Sequence, residues 1–356
     1  MSRHRIALIP GDGIGGEVIP SAVSVVEEAG KRFDIAFERT EYPWSCERYV
    51  ETGSMMPADG LDQLANADAI LLGAVGWPGV PDHVSLWGLL IPIRRHFQQY
   101  VNLRPIRLMP GVASPLADRS ASDIDMVIVR ENNEGEYSSI GGRIFQGTPE
   151  EVVVQQSVFT RRGVERTVRY AFDLAATRAG TLTSATKSNG IIHTMPFWDE
   201  VVEDVASDYP NVTVRHVHID ALAADFVLRP ERHDVVVGSN LFGDILSDLG
   251  AAVAGSIGIA PSANLNPERT GPSMFEPVHG SAPDIAGMGV ANPLGAISSA
   301  AMMLDHLGHD VAAAAVISAC ERALESSECT TPDLGGSAST TEFTHEVVSI
   351  LRDINS

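Results

Sequence analysis

Asn240-Leu-Phe-Gly-Asp-Ile-Leu-Ser-Asp-Leu-Gly250 follows His233-Asp-Val-Val-Val-Gly238, a short apolar run of β-branched residues. The run reads as a buried strand, and the small and apolar residues continuing to Ala254 suit a helix packed closely against it. Asp244 and Asp248 are then four residues apart on one helix face. Two carboxylates stacked one turn apart repel each other, and a hard divalent cation would relieve that repulsion. The same two acids could instead favour the positive end of the helix dipole. What else converges on this stretch has to choose between the two readings.

The 356-residue chain is long enough for a large core and about two domains. It is 44% hydrophobic and 20% charged, with a formal net charge of −21. That balance argues against nucleic acid and anionic membranes as partners, while leaving room for a locally basic pocket. Cys46, Cys320 and Cys329 form no C-x-x-C pair, which suits reduced thiols in a cytoplasm. Met1-Ser-Arg-His-Arg5 runs directly into a strand without a signal-like apolar segment, and no uncharged run reaches membrane-spanning length. A cytoplasmic location is therefore expected.

Strands read at Arg5-Ile-Ala-Leu-Ile-Pro10, Asp34-Ile-Ala-Phe-Glu38 and Ala69-Ile-Leu-Leu-Gly73 alternate with a helix over 17–29, the pattern of an α/β sheet. Gly11, Gly13 and Gly16 spell G-x-G-x-x-G, but the acid that a dinucleotide fold places about 20 residues on is only an ambiguous Glu38. A helix over 86–100 carries Arg94, Arg95 and His96, and Asn102-Leu-Arg-Pro105 follows. Asp125-Met-Val-Ile-Val-Arg130 is a strand ending on an arginine, with Glu131 and Tyr137 close behind. Arg94, Arg104 and Arg130 could each be a solvated surface charge. Together at element ends they would clamp carboxylates through paired hydrogen bonds.

Arg143-Ile-Phe-Gln146 and Glu151-Val-Val-Val-Gln-Gln-Ser-Val158 flank Gly147-Thr-Pro149 and read as a projecting hairpin, a common subunit contact. A helix over 160–180 leads to the strand Thr181-Leu-Thr-Ser-Ala-Thr186, which delivers Lys187. After a helix over 197–207, Val212-Thr-Val-Arg-His-Val-His-Ile219 is a strand ending on Asp220. Strand C-terminal ends are where α/β sheets place ligands, although a salt bridge would also account for each residue. A long Gly/Pro-rich loop runs from Pro261 to Pro293, and buried helices are expected over 295–308 and 311–326.

Asn102-Leu-Arg-Pro105, Asn240-Leu-Phe-Gly-Asp-Ile-Leu-Ser-Asp248 and Glu276-Pro-Val-His-Gly-Ser-Ala-Pro-Asp284, in that order and spacing, resemble the β-decarboxylating dehydrogenases. These include the isopropylmalate, isocitrate and tartrate/D-malate enzymes, and the likeness begins at Ile9-Pro-Gly-Asp-Gly-Ile-Gly15. The resemblance implies an α/β, isopropylmalate dehydrogenase-like fold of two domains around one sheet. Residues 1–102 with 256–356 would form one domain, and 103–255 an inserted second domain with a dimer arm over 138–158. It implies Arg94, Arg104 and Arg130 as the clamp on a hydroxy-diacid, Tyr137 as the acid that protonates the enol, and Lys187 as acceptor of the C2 hydroxyl proton. Asp220, Asp244 and Asp248 would bind Mg²⁺ or Mn²⁺, with Lys187 and Asp220 supplied by the second subunit of a homodimer.

The loop over 275–292 would hold the adenosine of NAD through His279, Gly280, Ser281, Ala282, Asp284, Ile285 and Asn292, so the first glycine turn would not be a phosphate loop. Asp284 would accept from the ribose hydroxyls and repel a 2′-phosphate, and Ile285 follows where NADP-dependent relatives carry a Lys-Tyr pair. A monovalent cation is left open. Asp82-His-Val-Ser-Leu-Trp-Gly88 and Glu131-Asn-Asn-Glu-Gly-Glu-Tyr137 are similar to the tartrate/D-malate branch. There Trp87 would narrow the pocket to suit hydrogen or hydroxyl at C3, unless it is simply core. Oxidative decarboxylation of D-malate, with activity on tartrate, is the function this implies. The alternatives are 3-isopropylmalate dehydrogenase, a non-catalytic regulatory subunit that would have lost these side chains, and a Rossmann-type nucleotide binder.

Overall fold

A computed structural model describes residues 2–325 and 329–353. The first strand, β1 (Ser2–Gly11), runs through Gly11-Asp12-Gly13 into helix α1 (Gly15–Phe33). Then come β2 (Ile35–Glu41), two short helices α2 (Cys46–Thr52) and α3 (Gly60–Leu64), and β3 (Ala69–Ala74). The basic helix expected over 86–100 spans α4 (Asp82–Ser85), a π-helical turn at Leu86–Leu90, and α5 (Ile91–His96). It ends earlier than its apolar pattern implies, because Gln98 turns into positive φ (50°).

The chain then enters β4 (Val101–Arg107), a strand the sequence reading did not find. Pro105 disguises it, since proline cannot donate to a neighbouring strand. The structure tolerates Pro105 because pairing with the strand on that side stops at Leu103. Next are β5 (Asp125–Glu131), the hairpin β6 (Gly141–Ile144) and β7 (Val152–Gln155), and α6 (Arg161–Thr177) capped by Thr160. Strand β8 (Thr181–Thr186), α7 (Thr194–Ala206), β9 (Thr213–His218) and α8 (Ile219–Leu228) follow. Asp220 therefore sits in the first turn of a helix rather than at the tip of a strand.

The opening stretch is β10 (Val235–Gly238) followed by α9 (Asn240–Val253), whose N-cap Ser239 accepts from the Phe242 N–H. Two more unforeseen strands, β11 (Pro261–Leu265) and β12 (Ser273–Pro277), occupy the Gly/Pro-rich region, leaving 278–293 as its true loop. Helices α10 (Leu294–His306), α11 (Asp310–Glu325) and α12 (Thr340–Asp353) complete the chain. Ser326, the expected end of the second late helix, and Met1 lie outside the described residues.

Ten strands form one sheet in the order β2-β1-β3-β12-β11-β4-β5-β10-β8-β9. The two ends are parallel, and the centre, where β11 and β4 pair with their neighbours, is antiparallel. One sheet thus runs through both parts of a two-domain α/β fold. Apolar residues of α1, α10, α11 and α12 cover its first half, and those of α6 and α7 the second. Helix α9 lies close to β4 and β5 because two glycines face them. A Cβ on Gly243 would stand 2.6 Å from Arg130 Cβ, and one on Gly250 only 2.2 Å from Ile106 Cδ1.

Candidate active site

The approach of α9 to β4 and β5 brings the arginines and acids together. A cavity of about 210 Å³ is lined by Arg94, Arg95, Arg104, Arg130, Tyr137 and Asp244, among others. Arg104 and Arg130 arrive from β4 and β5, Arg94 and Arg95 from α5, and Asp244 from α9. Neither aspartate of α9 lies in the first helical turn. The helix-dipole explanation for them therefore loses its basis.

Arg130 Nη1 donates to Asp244 Oδ1 at 2.5 Å, and its Nε and Nη2 donate to Asn240 Oδ1 at 3.2 and 2.7 Å. Tyr137 Oη donates to Asp244 Oδ2 at 2.9 Å. Arg104 Nη1 stands 3.3 Å from Asp244 and 3.5 Å from Asp248. Burial alone would raise the Asp244 carboxyl, but Arg130 and Arg104 outweigh it and hold the pKa below the ordinary carboxylate value. Asp248 moves the other way, raised by burial and by the Asp244 charge despite Arg104. Burial and Asp244 also raise the Tyr137 phenol, which keeps its proton.

A buried network spaces the arginines. Glu276 Oε1 accepts from Arg94 Nη2 at 2.7 Å and from Asn264 Nδ2 at 2.7 Å. Asn264 Oδ1 accepts from Asn102 Nδ2 at 3.0 Å, and Asn102 Oδ1 from Arg104 Nε at 2.7 Å. The network crosses β12, β11 and β4 without a break, so moving one arginine disturbs the other. Sequence reasoning missed Glu276, Asn264 and Asn240 as parts of the site. Glu276 and Asn240 stood inside the quoted motifs and could have been found there. Nothing local marks Asn264.

Lys187 and Asp220 are elsewhere. Lys187 Nζ donates to Asp220 Oδ1 at 2.5 Å, and neither residue lines the cavity. Among the described residues no three His, Cys, Asp or Glu side chains are grouped to hold a metal ion. A single chain accordingly does not unite Asp220 with Asp244 and Asp248. Trp87 does not line the cavity either; Leu86, Leu90 and Ile91 do. Its ring instead carries the Arg95 guanidinium, 5.0 Å from the ring centroid.

Of the cofactor candidates, His279 and Gly280 line the cavity, and His279 Nε2 is buried without a hydrogen-bond partner. Asp284 is exposed, Ile285 packs against the core, and Ala282 takes positive φ (40°). Asn292 is buried and tied to Asp333, with Nδ2 3.1 Å from Oδ2. The glycine turn is filled by this chain's own backbone. Ile14 N donates to Ser281 O at 2.9 Å, and a Cβ on Gly13 would stand 2.0 Å from that oxygen. A Cβ on Gly11 would meet Ala74 O at 1.9 Å. Gly11 and Gly13 thus allow backbone to approach backbone.

The family model described as isocitrate/isopropylmalate dehydrogenase matches residues 5–347. The chain belongs to this family. It is 56% identical over 360 residues to the D-malate dehydrogenase [decarboxylating] of Escherichia coli (strain K12), covering 99% of each chain. It is also 56% identical over 345 residues to the tartrate dehydrogenase/decarboxylase of Pseudomonas putida, covering 94% of each. Among solved structures, isocitrate dehydrogenase from Methylococcus capsulatus superposes with a TM-score of 0.87 at 33% identity, covering 98% of this chain and 99% of that one. The chain is thus a member of a family of decarboxylating hydroxy-acid dehydrogenases, with relatives named for D-malate and tartrate. No described helix is long and apolar enough to cross a membrane.

Proposed function

We propose that this protein oxidatively decarboxylates D-malate to pyruvate and CO₂ with NAD and Mg²⁺ or Mn²⁺, through an oxaloacetate-type intermediate, and also acts on tartrate. The observation that carries this reading is the convergence of Arg94, Arg104 and Arg130 on one cavity with Tyr137 and Asp244. Paired guanidiniums at fixed spacing suit the two carboxylates of a hydroxy-diacid. The donor set suits a hard cation: Asp244 and Asp248 offer carboxylate oxygens one turn apart, and Asp220 of a second copy completes it. Bound there, the dication would supply Lewis-acid chemistry at the C2 hydroxyl, and NAD would supply the hydride acceptor. Lys187 of the second copy takes the hydroxyl proton. Tyr137, whose raised pKa keeps it protonated, delivers a proton to C3.

NAD is held by His279, Gly280, Ser281, Ala282, Asp284, Ile285 and Asn292, with the exposed Asp284 disfavouring a 2′-phosphate. The functional unit we infer is a cytoplasmic homodimer with two shared sites. Apolar side chains left exposed on the arm support it: Ile144 is 56% exposed, Phe145 65% and Val153 57%. We place the domain boundaries at 102/103 and 255/256, with 138–158 as the arm. The 3-isopropylmalate reading is weaker, since the full-length relatives at 56% identity are named for D-malate and tartrate.

The test is kcat/KM on D-malate, the tartrate isomers, 3-isopropylmalate and isocitrate with NAD, before and after EDTA. D-malate and tartrate should lead, and EDTA should abolish turnover until Mn²⁺ or Mg²⁺ is restored. A preference for 3-isopropylmalate, or full activity in EDTA, overturns the reading.

A further inference from the structure

Four arginines line the cavity, and three have acids of their own. Arg94 pairs with Glu276, Arg104 with Asp244 and Asp248, and Arg130 with Asp244. Arg95 is different. Among the described residues it has no carboxylate partner; its Nη2 donates to the Tyr137 carbonyl at 2.8 Å, and its guanidinium rests on the Trp87 ring. In a chain of net charge −21, a half-buried arginine without an acid at the wall of the active-site cavity is uncompensated until something anionic or polar enters. Its remaining N–H groups are free to donate.

The neighbouring wall sharpens the point. Leu86, Leu90 and Ile91 give the cavity an apolar lining, and Asn133, which also lines it, has a buried Oδ1 without a partner. A charged donor and an unmatched amide acceptor lining the same cavity as apolar side chains would bind a hydroxyl, which can both accept and donate. An alkyl group there would leave both unpaired and desolvated, the costlier outcome. Trp87 contributes through Arg95, whose guanidinium lies 5.0 Å from the indole ring centroid and is attracted to it.

We propose that Arg95, seated on Trp87 and assisted by Asn133, is a substrate-binding residue that reads the C3 substituent, admitting hydroxyl beside hydrogen and rejecting alkyl. The proposal rests on the hydroxy-diacid function above and goes beyond it by naming the determinant that separates substrates at this site.

The experiment compares Arg95→Met and Arg95→Lys with the unaltered protein on tartrate, D-malate and 3-isopropylmalate. Dissociation constants of tartrate and D-malate are measured calorimetrically with Mn²⁺ and no NAD. Arg95→Met should lower kcat/KM and affinity for tartrate about tenfold or more relative to D-malate, the scale of a hydrogen bond from a charged donor. The ratio of 3-isopropylmalate to D-malate should rise. Arg95→Lys, which keeps the charge, should recover part of the lost activity on tartrate, and Trp87→Leu should shift the tartrate to D-malate ratio less than Arg95→Met. If Arg95→Met lowers kcat in parallel on all three while leaving the two dissociation constants in their original ratio, Arg95 only positions Tyr137 and the proposal is overturned. Preference of the unaltered protein for 3-isopropylmalate would instead overturn the function itself.

Discussion

Substituting the first-turn glycines separates a packed turn from a phosphate loop, and the expected sizes follow from the coordinates. Gly13 has φ +56°, and an added Cβ would stand 2.0 Å from Ser281 O, 2.9 Å from Ser281 C and 3.1 Å from Ser281 Cβ. Gly13→Ala therefore incurs the left-handed backbone cost of a non-glycine residue, about 1–2 kcal/mol. It also pushes Ser281 away and breaks the Ile14 N to Ser281 O hydrogen bond, worth about 1 kcal/mol. The sum is about 2–3 kcal/mol of lost stability. Because Ser281 belongs to the proposed adenosine loop, NAD affinity should fall as well.

Gly16 supplies the contrast: it lies in α1, and a Cβ there meets nothing within 4 Å. Gly16→Ala should change stability by between zero and about +1 kcal/mol and leave NAD binding intact. Urea unfolding and calorimetric NAD titration of both variants provide the readout. A tenfold loss of NAD affinity in Gly16→Ala with unchanged stability would mean that the turn touches the cofactor after all. A Gly13→Ala protein as stable as the unaltered chain would refute the packing argument.

Other expectations follow from the same geometry. Tyr137→Phe should lower kcat at least about 100-fold with little change in KM, because the phenol is assigned proton delivery rather than binding; a change confined to KM contradicts that role. Mixing Lys187→Ala with Asp244→Asn protomers should restore about a quarter of the unaltered activity, since half the dimers would carry one intact site of two. If native-gel analysis shows that the protomers exchange and activity does not return, the sites are not shared. Replacing Phe145 and Val153 on the arm with Glu should give smaller particles by light scattering, together with loss of turnover.

Burial pushes His233 and His306 down to about 4, from an ordinary 6.5. The unfolded chain thus binds their protons more readily than the folded one. Their stabilising contribution is full above about 6.5 and is lost as pH falls toward 4, by up to about 1.4 kcal/mol per pH unit for each proton. Denaturant midpoints of a His233→Asn, His306→Gln variant should fall less steeply than those of the unaltered protein over that interval.

Elements with a strong local period were legible in the amino-acid order: β1, β3, β5, β8, β10 and the helices α1, α6 and α9. Five side chains of the candidate site also lay in short motifs, and Arg94, Arg104, Arg130, Tyr137 and Asp244 line one cavity, whereas Lys187, Asp220 and Trp87 do not. Strands β4, β11 and β12 were not legible. They carry Pro105, Asn264 and Pro277, residues that argue against strand locally, and they exist because each finds partners far along the chain. The Glu276–Asn264–Asn102 network that spaces the arginines exists only once those strands are paired. That Arg95 meets no acid among the described residues is likewise a fact of three dimensions, since a partner could have come from anywhere in the chain. Sequence by itself determined which chemical groups were on hand and the local elements that carry them. Distance, burial and the pairing of charges were decided by tertiary contacts, whose energies depend on separations that order along a chain does not encode.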